Sequence, residues 1–343
     1  AVIPLHKKQF ERIDMLRTTI SRVAVGAGLA LALTAAPAMA DPVGTPTFRP
    51  LAGMGSATTF EVMNGLSDVV LVGGQKVIGS YDPLPAGSIV STKDEAAFAN
   101  CNTAGGSGGV PRADGSSAGR DALLAAMTAG SATFGCLDFA RTSSGAIAAG
   151  QTFVPMAQDG LTYVYPTGGL IGAQSTIADL QLIYKCDASI PAGTFKPLIP
   201  QSGSGTRNSW ATLMGISNTT LPACVSDKKA DNTAIQEHDG RVLTTANSIV
   251  PFSVAQYLSQ TFGVTPDKRG PAQLGMLDGI SPLVQNAGQT GLRVVGNILP
   301  TATFNDANSL GNDVFVDNGT GKSQICVSGK STIEKFGFIA STC

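Results

Sequence analysis

Gln201-Ser202-Gly203-Ser204-Gly205-Thr206-Arg207 runs glycines and small hydroxylated residues straight into a helical pattern with Trp210, Leu213 and Met214 on one face. Glycine lets the backbone approach a ligand closely, and Ser and Thr hydroxyls donate hydrogen bonds. The helix N-terminus behind them leaves free N–H groups and a partial positive charge. Together these make an anion cradle. The structural alternative for any one such loop is an ordinary helix cap.

The chain repeats the construction. Gly55-Ser56-Ala57-Thr58-Thr59-Phe60-Glu61 opens a helix with Phe60, Met63, Leu66 and Val70 as its apolar positions. Thr58 and Glu61 have capping-box spacing, which makes Thr58 the expected N-cap. Asp114-Gly115-Ser116-Ser117-Ala118-Gly119-Arg120 leads into Ala122, Leu123, Leu124, Ala126 and Met127. Helix mouths of one chemical type, recurring along one chain, suggest a single oxyanion held by amides and hydroxyls.

Residues 1–40 are set aside from the fold. Met15 opens a secretory signal pattern: Arg17 and Arg22 are its charged region, Val23 to Ala36 its apolar run, and Ala38-Met39-Ala40 a small-x-small cleavage site. Residues 1–14 read as upstream sequence, and the mature chain is expected to begin at Asp41. Removing the leader leaves 18 basic against 22 acidic residues, a formal charge of −4. That balance, with no basic stripe, argues against a nucleic-acid partner. The six cysteines, Cys101, Cys136, Cys186, Cys224, Cys326 and Cys343, show no CxxC spacing, which argues against a zinc ribbon or redox dithiol. In an exported chain they read as three disulfides, with sequential pairing as the expectation. No cysteine stands at the cleavage site, where Asp41 follows Ala40, so a soluble secreted or periplasmic protein without a lipid anchor is expected.

Short β-rich runs alternating with helical patterns argue an α/β fold. Strands are expected at 69–72, 151–155, 161–165, 249–251 and 292–295. Further helices are expected at 177–184, 253–261 and 331–336. Phe153-Val154-Pro155 and Ile249-Val250-Pro251 read as two hinge crossings. They divide the mature chain into lobe I, 41–157 plus 249–343, and lobe II, 158–248.

In order and spacing these segments resemble the phosphate-binding protein family of bacterial ABC importers, a branch of the type II periplasmic binding fold. Gly55-Ser56-Ala57-Thr58-Thr59 is similar to that family's G-x-x-T loop, and Gly115-Ser116-Ser117-Ala118-Gly119 to its G-S-S-G-G loop. Asp138-Phe139-Ala140-Arg141-Thr142-Ser143 resembles D-F-x-x-S-D, the segment 176–184 resembles the helix ahead of the second-lobe strand, and Gly203-Ser204-Gly205-Thr206 matches G-S-G-T. The resemblance implies two lobes closing on a dehydrated oxyanion without metal or organic cofactor. Thr58, Thr59, Ser116 and Ser117 would donate from lobe I, and Ser204, Gly205 and Thr206 from lobe II. It also implies a monomer that works with an ABC permease.

Two departures bear on the ligand. Pro200 stands where the family has an arginine, and Ser143 where it has an aspartate. Arg141 and Arg207 are the candidates to neutralise the anion, each with a solvated surface cation as its alternative. Asp114 is the candidate acceptor, with an exposed turn aspartate as the alternative. Loss of the aspartate predicts weaker discrimination between phosphate and sulfate.

Two other classes fit parts of the sequence. A secreted adhesive or scavenging exoprotein could keep the same fold. Gly115-Ser116-Ser117-Ala118-Gly119 also satisfies G-x-S-x-G, the nucleophile elbow of a serine hydrolase, whose base would have to be His238. Glu237-His238-Asp239-Gly240 reads as a polar turn.

Overall fold

Leu51-Ala52-Gly53-Met54-Gly55 forms the first strand, β1 (Leu51–Gly55), and every residue of it is buried. A strand buried on both faces needs cover on both sides, and the chain supplies it with helices. The computed structural model describes residues 41–104, 106, 108–284 and 290–340. The expected leader, 1–40, and Cys343 lie outside the described residues.

Helix α1 (Phe60–Val69) follows β1 and buries Val62, Met63 and Leu66 against the sheet, each burial worth about 1.5–3 kcal/mol. The chain continues through β2 (Ile78–Ser80), α2 (Ser116–Met127), β3 (Phe139–Thr142) and the long β4 (Gln151–Pro166). Next come α3 (Ile177–Tyr184), β5 (Lys196–Pro197), α4 (Gly205–Met214), β6 (Ser248–Ser253) and α5 (Val254–Thr261). Finally β7 (Ala272–Leu274) and β8 (Leu292–Pro300) rejoin the sheet, and α6 (Gln324–Lys335) packs on α1.

The sheet runs β5-β6-β4-β8-β3-β1-β2, with β7 paired to β4. β1 is parallel to β2 and β3, whereas β8 lies antiparallel between β3 and β4. β4 is the spine. Its residues 151–160 pair with β8, and Leu161–Val164 pair with β6. The apolar clusters divide at the same point. Two clusters around β1, β3 and β8 use β4 only as far as Ala157. The other two begin at Leu161 and include Ala272 and Leu277.

Several elements differ from the sequence expectation. The strands expected at 151–155 and 161–165 are one strand, because Asp159 lies directly opposite Arg293 and is neutralised there instead of turning outward. Pro155 is tolerated inside this strand because the register shifts between Val295 and Gly296, a bulge where Pro155 need not donate. At 69–72 the helix runs through Val69, leaving Leu71–Val72 as strand. The last helix starts at Gln324, well ahead of 331, because the Ser323 hydroxyl accepts from Cys326 N–H. Cys101–Cys136 and Cys186–Cys224 are disulfides, in the sequential order expected. Cys326 is also disulfide-bonded.

Candidate functional site

The carboxyl ends of parallel strands are where open α/β sheets leave a crevice, and β1 and β3 both end at one. β1 hands over at Gly55 to Ser56-Ala57-Thr58-Thr59, and β3 to Ser143. The expected capping box on α1 does not form. Its N-cap is Thr59, which makes no side-chain cap bond, and the buried Thr59 hydroxyl has no hydrogen-bond partner. Thr58 is thereby released from capping and its hydroxyl faces the other lobe.

Four hydroxyls meet there. Ser143 Oγ lies 3.1 Å from Ser56 Oγ, 3.2 Å from Thr58 Oγ1 and 3.3 Å from Ser116 Oγ. Across the cleft, Thr206 Oγ1 lies 3.3 Å from Thr58 Oγ1. Thr58, Ser116, Ser143, Ser204 and Thr206 are all at most 1% exposed. Ser204 caps α4, its Oγ accepting from Arg207 N–H at 2.9 Å. The first residue of α4, Gly205, sits against Ser116 and Ser143: an added Cβ would overlap both hydroxyls. Only glycine lets this helix mouth reach the other two.

Residues that the sequence motifs did not place at the anion site complete the cluster. Arg293 Nη2 lies 3.2 Å from Thr206 Oγ1 and 3.4 Å from Thr58 Oγ1, while Asp159 holds the same nitrogen at 2.8 Å. Arg293 Nη1 is buried without a hydrogen-bond partner. Glu237 Oε2 accepts from Thr58 Oγ1 at 2.8 Å and from Thr206 Oγ1 at 3.1 Å. His238 Nδ1 accepts from Ser253 N–H at 3.3 Å, so its proton is on Nε2, 3.2 Å from Glu237 Oε2. Burial pushes the Glu237 carboxyl up, but the hydrogen bond and charge of His238, then the hydrogen bond from Ser204 and the charge of Arg293, outweigh it and hold the group at about 2.

The remaining candidates are placed elsewhere. Arg141 is fully buried and donates to the carbonyls of Gly53, Gly55 and Ser56 and to Ser80 Oγ, bracing the β1 turn from behind. Burial lowers its pKa to about 9, against the raising influence of Asp82 and Asp41. Arg207 pairs with Asp227 at 2.7 Å and donates to Pro200 and Asn218 carbonyls. Neither guanidinium hydrogen-bonds to the hydroxyl cluster. Both arginines are spent on backbone carbonyls and other side chains, and the guanidinium beside the hydroxyls is that of Arg293 on β8. Ser117 Oγ accepts from Asn208 Nδ2, while its N–H donates to Gly203 O, a direct bond between the mouths of α2 and α4. Asp114 accepts from Gln201 Nε2 at 2.8 Å and is half-buried. Burial first, then the nearby Glu237 charge, raises its pKa to about 6.

Among the described residues, no group of three or more His, Cys, Asp and Glu side chains is arranged to hold a metal ion. No helix among them is long and apolar enough to cross a membrane.

No protein-family model matches this chain, and no curated protein does. Solved structures do. The chain is similar to a substrate-binding protein assigned to a phosphate ABC transporter of Clostridium perfringens, solved with bound phosphate. The TM-score is 0.51 at 16% identity, over 84% of this chain and 98% of that one. It also aligns with a phosphate-binding protein from Stenotrophomonas maltophilia, with TM-score 0.49 and 12% identity over 84% and 90% of the two chains. An ABC-type phosphate transport receptor from Vibrio cholerae aligns with TM-score 0.44 and 17% identity over 84% and 99%. The architecture is the mixed α/β, two-lobe periplasmic binding protein fold.

Proposed function

We propose that this chain is an exported solute-binding protein that captures phosphate or a related tetrahedral oxyanion between its lobes and delivers it to an ABC permease. The observation that carries this reading is the convergence of the Thr58, Ser116 and Thr206 hydroxyls from three helix mouths on the Ser143 hydroxyl at the end of β3, beside the Arg293 guanidinium. Each charge-assisted hydrogen bond contributes about 1.5–3 kcal/mol, so five or more leave a surplus over desolvation and ordering. Lobe II is taken as 158–248 with the packed segment around Ala272 and Leu277 added to its core. The protein acts as a monomer and without metal or organic cofactor.

Hydrolysis fits the geometry less well. A serine triad needs a histidine on the nucleophile and a carboxylate on the far ring nitrogen. Ser117 hydrogen-bonds to Asn208, and the far nitrogen of His238 accepts a backbone N–H.

Calorimetric titration with phosphate, sulfate and arsenate tests the proposal. Saturable heat with at least one anion, reduced in Ser204→Ala and Thr206→Ala, is expected. Absence of heat and of any thermal shift with all of them would overturn it.

A further inference from the structure

Glu237 stands where the proposed function puts the ligand. Its Oε2 takes the protons of Thr58 and Thr206, the two hydroxyls that face each other across the cleft. A hydroxyl has one proton to give. While these two are given to Glu237 they are not available to an incoming anion. A second anion placed on the same donors would sit within hydrogen-bond distance of a buried carboxylate, and like charges that close disfavour each other strongly. The two occupancies exclude each other.

The carboxylate is held by one oxygen only. Oε1 is buried and has no hydrogen-bond partner, whereas a carboxylate serving structure alone normally has both oxygens satisfied. Glu237 also lines a pocket of about 230 Å³ whose charged side chains are Lys229, Lys268 and Arg241 together with Glu61, Asp82 and Asp239; Asp239 already pairs with Arg241, which leaves the two lysines as the cations. The backbone beside it is fixed, with Gln260 Nε2 donating to His238 O at 3.0 Å and Ser253 N–H donating to the His238 ring. Side-chain rotation would carry the carboxylate away from the hydroxyls and toward Lys229 and Lys268 in this pocket of mixed charge.

We propose that Glu237 is a tethered anion that occupies the cradle of the closed protein, so that an external oxyanion binds by displacing it toward Lys229 and Lys268. This rests on the oxyanion-binding reading above and adds a regulator to that site. Affinity for the ligand is then the difference between two anions competing for the same donors.

The test titrates inorganic phosphate into wild type, Glu237→Ala and Glu237→Gln at one pH and ionic strength. Removing the competitor should tighten phosphate binding roughly tenfold or more in Glu237→Ala. Glu237→Gln, which keeps the shape without the charge, should fall between that variant and wild type. If Glu237→Ala fails to fold, Glu237→Gln decides alone, since it too must bind more tightly than wild type. Equal or weaker binding in the folded variants overturns the inference and makes Glu237 an acceptor or a structural group, leaving the oxyanion reading intact. If wild type and variants alike bind none of phosphate, sulfate and arsenate, the oxyanion reading falls and the inference with it.

Discussion

Asp159 and Arg293 face each other across β4 and β8, and one carboxylate oxygen holds the guanidinium at 3.0 Å through Nε and 2.8 Å through Nη2. The other oxygen of Asp159 accepts from Ser253 Oγ at 2.8 Å and from Ala255 N–H at 3.1 Å, at the start of α5. Both side chains are almost wholly buried. This pair therefore ties the β-spine, the α5 mouth and the hydroxyl cluster together at the point where the apolar clusters divide.

Arg293→Met leaves the buried Asp159 carboxylate without its cation, at a cost of about 3–5 kcal/mol in unfolding free energy. Phosphate affinity should fall more than tenfold in the same variant. Asp159→Asn combined with Arg293→Met should recover much of the stability and none of the binding. Urea denaturation and calorimetry on the single and double variants check this. Recovery of binding in the double variant would show that the guanidinium does not contact the ligand.

The helix mouths were legible because their signals are local: small hydroxylated residues, a glycine, then helical periodicity. Arg293 was not, since it sits in a mainly apolar run, Leu292 to Pro300, and its role depends on register with Asp159. Register is a property of two strands and cannot be read from one. The break left between the strands expected at 151–155 and 161–165 has the same cause, because Asp159 carries a charge whose partner lies 134 residues away. Glu237 and His238 gave a polar-turn pattern, although both are buried and His238 adopts φ +59°. A lone arginine within a strand-like run was the one usable clue to the cation.

Glu61 should make stability depend on pH near neutrality. It is 7% exposed, and burial raises its pKa to about 7, against the lowering influence of Lys268 and a hydrogen bond from Gln256. A raised folded-state pKa means that Glu61 favours folding below its unfolded value of 4.5, and that this contribution is lost as pH rises toward 7. Glu61→Gln should therefore be more stable than wild type at pH ~8, by on the order of 3 kcal/mol, and nearly equal to it at pH ~4. Denaturant curves across that range check the sign, and a gain confined to acid pH would contradict the burial argument.

The Cys186–Cys224 disulfide links the end of α3 to the segment after α4, with a sequence separation of 38. A loop of that size contributes about 4 kcal/mol by chain entropy. The Cys186→Ser, Cys224→Ser double variant should lose stability of that order around α3 and α4. Hydrogen exchange should show faster opening around α3 and α4, with β1 and α1 protected as before. Uniform loss of protection across both lobes would mean that they unfold as one unit.

Gly205 and Gly215 bracket α4, and their alanine variants should fail in opposite ways. Gly215 is the left-handed C-cap, φ +63°, where a side chain is strained; Gly215→Ala should cost about 1 kcal/mol of stability and leave anion binding unchanged. Gly205 is the first helical residue and is not left-handed, so alanine suits its backbone and improves helix propensity. Its new methyl group would instead strike Ser116 and Ser143 and hold the helix mouths apart. Gly205→Ala should therefore keep wild-type stability within about 1 kcal/mol while phosphate binding weakens at least tenfold. Small-angle scattering should show Gly205→Ala expanded relative to wild type, and adding phosphate should not bring it back to the wild-type size. If that variant binds phosphate and scatters like wild type, the ligand does not lie between these three helix mouths.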